Sequence, residues 1–396
     1  MSTAAATNRQ TPAERRRSVL DRKGYSAKHR LATKAPTMAF YLIAAAIGML
    51  IMFGLIMVLS SSSIVAVNRG GSAWSMFRKQ ATWAVFGSFA MIATYRMPYQ
   101  SWRKIVLPFL IFSLALMLVP FVPGIGVTIN GARAWVEIGP VRFQPSEILK
   151  LAVLLYCCNL LGRRRGEITD IRRTFRPIVI VWVLVSALCM LQSDLGATIV
   201  FSAIILSVLF IAGAPLRLVG LSSGIAVLGG LSAIALSPMR RNRWTAFLDL
   251  EGTKGHYGYQ VWQSILSISN GGILGVGAGE GTGKWGYVPL AHSDFIFAII
   301  GEEFGLIGAT AVIGLFMVLA YCGTQAALGA RDSFGAVLAG GITTWFCVQA
   351  FINIGGVTGA MPVTGLTLPL ISYGGSSLFM SMAAAGLLLN VARNMK

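Results

Sequence analysis

Apolar segments alternate with short polar segments along most of this chain. A helix that crosses a bilayer needs about 20 mostly apolar residues, and ten segments come close to that length. They lie near 39–60, 80–95, 105–121, 146–161, 176–191, 196–213, 217–237, 294–322, 335–355 and 371–392. The pattern therefore predicts an all-α polytopic membrane protein with about ten transmembrane helices.

Two parts of the chain interrupt this pattern. Residues 1–38 carry nine Lys or Arg side chains against Glu14 and Asp21 and show no apolar period, which predicts a basic, disordered cytoplasmic tail. Residues 238–293 form a long connection between the seventh and eighth spans. We therefore expect a tail over 1–38 and one ten-helix domain over 39–396 that includes the large loop 238–293.

The distribution of charge predicts how the chain crosses the membrane. Charged residues make up only 12% of the chain, yet the formal net charge is +19. With an even number of spans both termini lie on one side, and the segments on that side hold 22 of the 33 Lys and Arg residues, against 10 on the other side. The positive-inside rule places both termini in the cytoplasm and the loop 238–293 outside. Because the charges are divided among short loops, we expect contacts with membrane lipids and no nucleic acid partner.

Five carboxylates lie in or beside predicted spans, where a charge is costly and usually serves a function or faces a partner. Glu147, Asp194 and Asp294 lie at the outer ends of their spans, whereas Glu302 and Glu303 are about two helical turns deeper than Asp294. The two deeper side chains are expected to pair internally. The outer three lie at the depth of basic residues, which predicts a polar site at the outer face.

Several of these residues have two readings that the sequence leaves open. Glu147 and Lys150 share one helix face, either as a mutually neutralising pair or with Glu147 holding Lys150 for a phosphate. Asp294 is either the N-cap of the next helix or a functional carboxylate. His292 either forms a local hydrogen bond or assists Asp294.

The loop 238–293 contains glycines at 275, 277, 279, 281 and 283, followed by Lys284. Trp285 stands where a phosphate-binding P-loop has Ser or Thr, and Ala278 stands where that motif has its first glycine. The run therefore predicts no nucleotide site. A loop of this size nevertheless often forms a functional site.

Four separated blocks resemble signature segments of the SEDS family (shape, elongation, division, sporulation) of bacterial wall polymerases. They are NGARAWVEIGPVRFQPSEILKLAV at 130–153, QSDLGATIV at 192–200, the segment from GYQVWQSILSISNGGILGVGAG through AHSDFIFAIIGEEFG at 258–305, and MPVTGLTLPLISYGGSS at 361–377. They follow the order of the family and are joined by hydrophobic segments of fitting length. The last block is more similar to division members than to elongation members.

The resemblance implies a SEDS-type fold and a peptidoglycan glycosyltransferase. The 4-hydroxyl of one lipid II disaccharide would attack the anomeric carbon of another, and undecaprenyl diphosphate would leave. Because a diphosphate leaves as a stabilised anion, one general base and nearby cations suffice. Asp294 matches the family's catalytic acidic position, and Arg133 and Lys150 match important basic positions. The candidate substrate-binding set is Arg133, Lys150, Glu147 and Lys284, with Asp194, His292, Gln263, Ser372 and Tyr373 in support.

The resemblance also implies partners and a place in the cell. They are a class B penicillin-binding transpeptidase and other divisome membrane proteins, at the division septum of the bacterial cytoplasmic membrane. A divalent cation, Mg²⁺ or Mn²⁺, bound at Asp294 fits this chemistry, although the spacing does not require one. Ser193, Gly283 and Leu290 depart from the family pattern, so the loop over 280–291 is expected to contact its substrate or partner differently.

Three other functions stay open at this point. They are a lipid II flippase or transporter, an elongation-type polymerase, and a non-catalytic scaffold of the division machinery. A carrier is expected to place its polar site near the middle of the membrane, between repeats. The candidate residues here cluster at the outer face, which favours the enzyme.

Overall fold

The structure is a computed structural model that describes residues 36–68, 70–129, 131–139, 141–164, 168 and 170–395. The predicted tail over 1–38 lies almost entirely outside these residues. The first seven helices are α1 Met38–Asn68, α2 Ser75–Arg96, α3 Val106–Leu116, α4 Pro145–Arg163, α5 Arg176–Leu191, α6 Leu195–Ile211 and α7 Leu216–Ala235. The others are α8 Pro238–Leu248, α9 Leu250–Thr253, α10 Tyr259–Gly271, α11 Ile296–Leu328, α12 Ser333–Val357 and α13 Gly375–Arg393.

All ten predicted spans correspond to helices. Within the described ranges, seven helices are long and apolar enough to cross a membrane, and two more apolar segments, Val106–Phe121 and Leu195–Ile211, are shorter. The tenth, α2, has 22 residues but is more polar. The prediction of a polytopic all-α membrane fold is confirmed.

Two of the predicted loops contain secondary structure that the hydrophobic pattern did not indicate. Three short strands, β1 Gly126–Ile129, β2 Ala132–Ile138 and β3 Val141–Phe143, form an antiparallel sheet in which Val136 pairs with both Gly126 and Phe143. The loop 238–293 contains α8, α9 and α10. The sheet is followed directly by α4. Pro145 occupies the first turn of that helix, where the N–H that proline lacks would have no helical partner.

The helices differ greatly in how much they bury. α13 is the most buried span, at 83% of its apolar window, and α4 and α12 follow at 72% each. α13 packs closely on α2, where a Cβ added at Gly375 or Gly386 would collide with Trp83 or Thr94. Only 6% of the apolar window of α7 is buried, so this helix leaves nearly all of its surface outside the protein interior. The centre of the bundle is thus built from α4, α12 and α13.

α11 is interrupted at Gly305, whose backbone angles (φ 64°, ψ −161°) are not helical. The segment 271–277 fills the interruption. Four backbone hydrogen bonds join the two segments: Val276 N–H to Glu302 O, Gly277 N–H to Glu303 O, Leu306 N–H to Gly272 O and Ile307 N–H to Ile273 O. Backbone groups at membrane depth must be hydrogen-bonded within the protein, so this segment replaces the bonds that the break removes.

The side chains of Glu302 and Glu303 hold the next part of the same loop. The Glu302 carboxylate accepts from the N–H groups of Thr282 and Gly283, at 2.9 and 3.0 Å. The Glu303 carboxylate lies 2.7 Å from the ammonium of Lys284. Both carboxylates are 1% exposed. The expectation that they pair internally is confirmed.

Replacing Gly305 by alanine should destabilise the fold. The backbone of this residue lies in a region that is essentially restricted to glycine, at a cost of about 1–3 kcal/mol for another residue, and an added Cβ would also collide with the segment 271–277. The matched control is Gly314→Ala in the same helix, where nothing lies within 4 Å of an added Cβ and alanine favours the helix. Thermal unfolding in detergent measures both variants, and equal melting temperatures would contradict the expectation.

Candidate active site

Asp294 lies where three parts of the chain meet: the start of α11, the end of α12 and the segment 361–374. α11 begins at Ile296, and its N-cap is Phe295, without any side-chain capping bond. The reading of Asp294 as the N-cap is therefore wrong. The carboxylate is partly buried in a small cleft that is also lined by Asn353 and Gly365. It is thus available for chemistry instead of being used to cap the helix.

Asn353 of α12 fixes the backbone on both sides of this cleft. Its side-chain amide donates to the carbonyl of Asp294 at 2.8 Å and to the carbonyl of Leu366 at 2.7 Å. The side chain is 4% exposed, so both carbonyls depend on this amide instead of on water. Asn353 therefore sets the distance between the segment that carries Asp294 and the segment 361–374.

The residues just before Asp294 are held by the loop before α13. Ser372 Oγ donates to the carbonyl of Ser293 at 2.6 Å, and the N–H of Tyr373 donates to the carbonyl of His292 at 3.0 Å. The His292 ring packs edge-to-face on Tyr373, with centroids 5.6 Å apart. These contacts keep residues 292–294 out of helical geometry, which explains why α11 starts after Asp294.

The environment of Asp294 favours its neutral form. Burial raises the pKa of this carboxyl to about 7, although a hydrogen bond from Ser293 and the charge of Arg243 act in the opposite direction. Arg243 lies on α8 and is itself partly buried, which lowers its pKa, while Asp294 counteracts that effect. A carboxyl with a pKa near 7 suits general-base catalysis at neutral pH.

Lys150 is bound to its own helix neighbour. Its ammonium lies 2.7 Å from the Glu147 carboxylate, donates to Gln349 Oε1 at 3.0 Å and lies 5.1 Å from the centre of the Trp345 ring. The Lys150 side chain is almost fully buried. The structure thus shows the neutralising pair that was one of the two readings. Gln349 is one helical turn from Asn353 and donates to the carbonyl of Thr367, so Lys150 connects to the Asp294 cleft through α12.

Asp194 caps α6 and lies in the same polar region as Lys150. Its carboxylate accepts from the N–H of Ala197 at 2.8 Å and from the side-chain amide of Gln144 at 2.9 Å. Burial raises its pKa, while these hydrogen bonds and the charge of Lys150 lower it. Asp194, which the sequence predicts to support the site, is therefore the N-cap of α6 and also binds the Gln144 side chain just before α4.

Arg133 and Lys284 have partners that the sequence did not predict. The Arg133 guanidinium donates to the carbonyls of Pro120 and Phe121, at 3.0 and 3.1 Å. The Lys284 ammonium is 3% exposed and donates to Ser60, Gly279 and Glu303. Because an ammonium has three donors, Lys284 has none left for a phosphate in this arrangement, and it holds the glycine-rich loop instead. Gln263 lies on α10 and is partly buried.

Three residues of this region were missed from the sequence. Arg243 is one of five basic residues in the loop 238–293, and its influence on Asp294 depends on how α8 folds back. Gln349 and Asn353 gave a usable signal, since two amides four residues apart inside an apolar span form one polar stripe. Amides in a span usually bond to neighbouring segments, as these two do.

Comparisons with known proteins agree with this architecture. Residues 40–396 match the family profile FTSW_RODA_SPOVE, described as "Cell cycle protein". A probable peptidoglycan glycosyltransferase FtsW of Geobacter metallireducens is 38% identical over 345 residues, which cover 87% of this chain and 92% of the relative. A probable peptidoglycan glycosyltransferase FtsW of Mycobacterium tuberculosis is 41% identical over 360 residues, which cover 91% of this chain and 68% of the relative.

Solved structures share the fold along nearly the whole chain. The crystal structure of the rod shape determining protein RodA of Thermus thermophilus has 26% identity and a TM-score of 0.65, covering 92% of this chain and 98% of RodA. A chain of a peptidoglycan synthase complex, solved to describe the structural coordination of polymerization and crosslinking, has 29% identity and a TM-score of 0.71 with the same coverage.

The helical membrane fold, with a partly buried carboxylate in a cleft beside its loop helices, is that of the SEDS class of wall-synthesis proteins. Within that class, the chain belongs to the FtsW, RodA and SpoVE family of cell cycle proteins.

Replacing Asn353 by leucine, which has a similar size, should disturb both the fold and the site. Each buried carbonyl that loses its donor costs about 1–3 kcal/mol, and a displaced Asp294 should lower the rate of glycan synthesis roughly 10- to 100-fold. Thr358→Val is the control, because this exposed hydroxyl bonds only to its own helix. Thermal unfolding and polymer yield are measured together, and wild-type values of both for Asn353→Leu would contradict the assignment.

Proposed function

We propose that this chain is a peptidoglycan glycosyltransferase that polymerises lipid II into glycan strands at the outer face of the cytoplasmic membrane. The observation that carries the proposal is the carboxylate of Asp294: it caps no helix, is partly buried in a cleft and has a pKa of about 7. Relatives covering most of the chain are named as peptidoglycan glycosyltransferases. A single base of this kind is what an inverting displacement of a diphosphate requires.

In this reaction Asp294 acts as the general base. It accepts the proton of the 4-hydroxyl of one lipid II molecule as that oxygen forms a bond to the anomeric carbon of another. The bond from that carbon to the diphosphate oxygen breaks, and its electron pair leaves with undecaprenyl diphosphate. Nearby cations stabilise the charge that develops on the leaving group. Asn353 and Ser372 keep the base in position through the backbone of residues 293 and 294.

The residues available for a divalent cation are few. Within the described ranges no three His, Cys, Asp or Glu side chains converge on a metal-sized site. Mg²⁺ is commonly held by one or two carboxylates together with substrate phosphates, so Asp294 and a bound diphosphate would be its ligands. Such an ion would polarise the diphosphate.

The transporter hypothesis requires polar groups that are available near the middle of the membrane. The carboxylates farther along α11, Glu302 and Glu303, are engaged with Thr282, Gly283 and Lys284. The available carboxylate is instead the one just before the start of this helix. This arrangement supports a surface reaction over transport through the bundle.

The proposal includes a partner and a location. One solved relative is part of a complex in which polymerization and crosslinking are coordinated, which supports a class B penicillin-binding transpeptidase as the partner. The FtsW names of the relatives support a role in septal wall synthesis with other divisome membrane proteins. The excess of basic residues in alternate loops supports cytoplasmic termini.

Asp294→Asn should abolish polymerisation without unfolding the protein, because the amide keeps the shape of the carboxylate but cannot accept the proton. The assay is glycan-strand formation from purified lipid II, with the class B partner present. Glu137→Gln is the control, since this carboxylate belongs to an exposed ion pair with Arg142 in the small sheet and should leave the yield unchanged. Normal polymer from well-folded Asp294→Asn protein would exclude Asp294 as the base.

The raised pKa of Asp294 predicts how activity and stability depend on pH. At low substrate concentration the rate should fall about tenfold per pH unit below about 7, as the base becomes protonated. The folded state favours the neutral form of Asp294. This group therefore adds to the free energy of unfolding in full below the usual carboxyl pKa, and the contribution is lost as pH rises through about 7. Asp294→Asn should therefore be at least as stable as the wild type at pH 8. A rate that stays constant from pH 5 to 8 would contradict the assignment.

A further inference from the structure

A second, larger cavity lies beside the Asp294 cleft and has a volume of about 410 Å³. Its walls come from α8, from residues 256–261 and from the segment 359–363, so it belongs mainly to the loop helices instead of the spans. Aliphatic and aromatic side chains form most of the wall, and Arg243, His256 and Gln260 supply polar groups. Val363 lines both the cavity and the cleft. A volume of this size suits a small ligand with a few fixed polar contacts.

Arg243 connects the cavity with the catalytic carboxylate electrostatically. Its side chain lines the cavity, and its charge acts on Asp294. In the part of the chain that the structure describes, its guanidinium forms no ion pair within 4.0 Å and no hydrogen bond. Its five N–H donors are therefore available to a ligand.

The other cations proposed for the diphosphate differ from Arg243 in this respect. Lys150 is neutralised by Glu147, Lys284 is neutralised by Glu303, and Arg133 donates to two backbone carbonyls. Arg133 uses only two of its five N–H donors, but it does not line the cavity. Lys150 and Lys284 would each have to give up a carboxylate partner before binding a phosphate. Arg243 would not, and a guanidinium binds phosphate oxygens in pairs.

Arg243 acts on Asp294 through its charge but forms no ion pair with it within 4.0 Å, which suits an in-line displacement. The base must lie about 2.6–3.2 Å from the attacking hydroxyl, and that oxygen starts about 3–3.5 Å from the carbon it attacks. The leaving diphosphate lies beyond that carbon, so the cation that binds it should be near the base without touching it. A direct ion pair with Asp294 would instead occupy both groups.

We propose that Arg243 binds the diphosphate of the lipid-linked saccharide, and that the adjoining cavity holds the sugar to which this diphosphate is attached. The proposal rests on the proposed function and adds to it the residue that receives the leaving group. As the bond from the anomeric carbon to the diphosphate oxygen breaks, the electron pair goes to that oxygen, and Arg243 stabilises the resulting charge. The proton of the attacking hydroxyl goes to Asp294, so charge and atoms balance.

Binding of undecaprenyl diphosphate to the purified full chain tests this assignment without requiring turnover. Arg243→Gln should weaken binding about tenfold or more, and Arg243→Lys should weaken it less, because lysine keeps the charge but loses the paired contact. Arg241→Gln is the matched control, since Arg241 lies exposed on the same helix and does not line the cavity; its affinity should stay within about twofold, as expected for one screened surface charge. Asp294→Asn should still bind.

Polymerisation gives a second readout through the pH profile. Arg243 and the Ser293 hydroxyl are the groups that hold down the pKa of Asp294. Loss of the guanidinium charge should therefore move the acid limb of the rate profile to higher pH, whereas Arg243→Lys should leave it near the wild-type position. A merely structural role for Arg243 would lower the rate without moving this limb.

The outcomes separate the inference from the proposed function. Unchanged diphosphate binding in Arg243→Gln, or equal weakening in Arg241→Gln, would overturn the assignment. If Arg243→Gln does not fold, Arg243→Lys provides the test. Wild-type affinity of Arg243→Lys for the diphosphate would overturn the assignment, because the paired contact would then contribute nothing. The chain could also bind the diphosphate through Arg243 and yet make no polymer. That result would refute the proposed function but leave the assignment of the diphosphate site intact.

Discussion

The position of the candidate active site depends on how the break in α11 is filled. At Gly305 the helix cannot form its own hydrogen bonds, and the segment 271–277 supplies them. Glu302 and Glu303, just before the break, turn their side chains to the next part of the same loop and hold residues 279–284. The loop then continues directly to Asp294. The need to pair backbone groups at membrane depth therefore holds the segment that leads to Asp294, the proposed general base.

Polar side chains inside the bundle serve mainly to hold irregular backbone. Gln349 and Asn353 on α12 bond to carbonyls of the segment 361–374, and Gln80 on α2 bonds to Ser372 O and the N–H of Gly374. Buried amides that find such partners are favourable, whereas unpaired ones would cost several kcal/mol in hydrocarbon. The candidate site thus has a frame of amide contacts, and these amides do not bond to the side chains of Asp294 and Arg243, for which the reactive roles are proposed.

The sequence was sufficient for the helices that cross the membrane, because about 20 apolar residues have few other stable environments. It was also sufficient for the internal pairing of Glu302 and Glu303, since two adjacent carboxylates cannot stay unpaired at that depth. It was not sufficient for the small sheet, whose strands have three to seven residues, or for the helices of the loop 238–293, which are too short to be found as spans of about 20 apolar residues. The start of α11 was misplaced because contacts from Ser372, Tyr373 and Asn353, distant in sequence, hold residues 292–294 outside the helix. Arg243 was overlooked for the same reason, because Asp294, on which its charge acts, lies 51 positions away.

The interlocking of residues 271–277 with α11 also concerns how the chain is made. The segment that completes the broken helix leaves the ribosome about 30 residues before Gly305 does, so it is already present when that helix enters the bilayer. A helix with an unfilled break would expose bare amide groups to lipid. Stable insertion of this span therefore requires residues 271–277 to be at the break, which couples insertion of the helix to folding of the loop that precedes it.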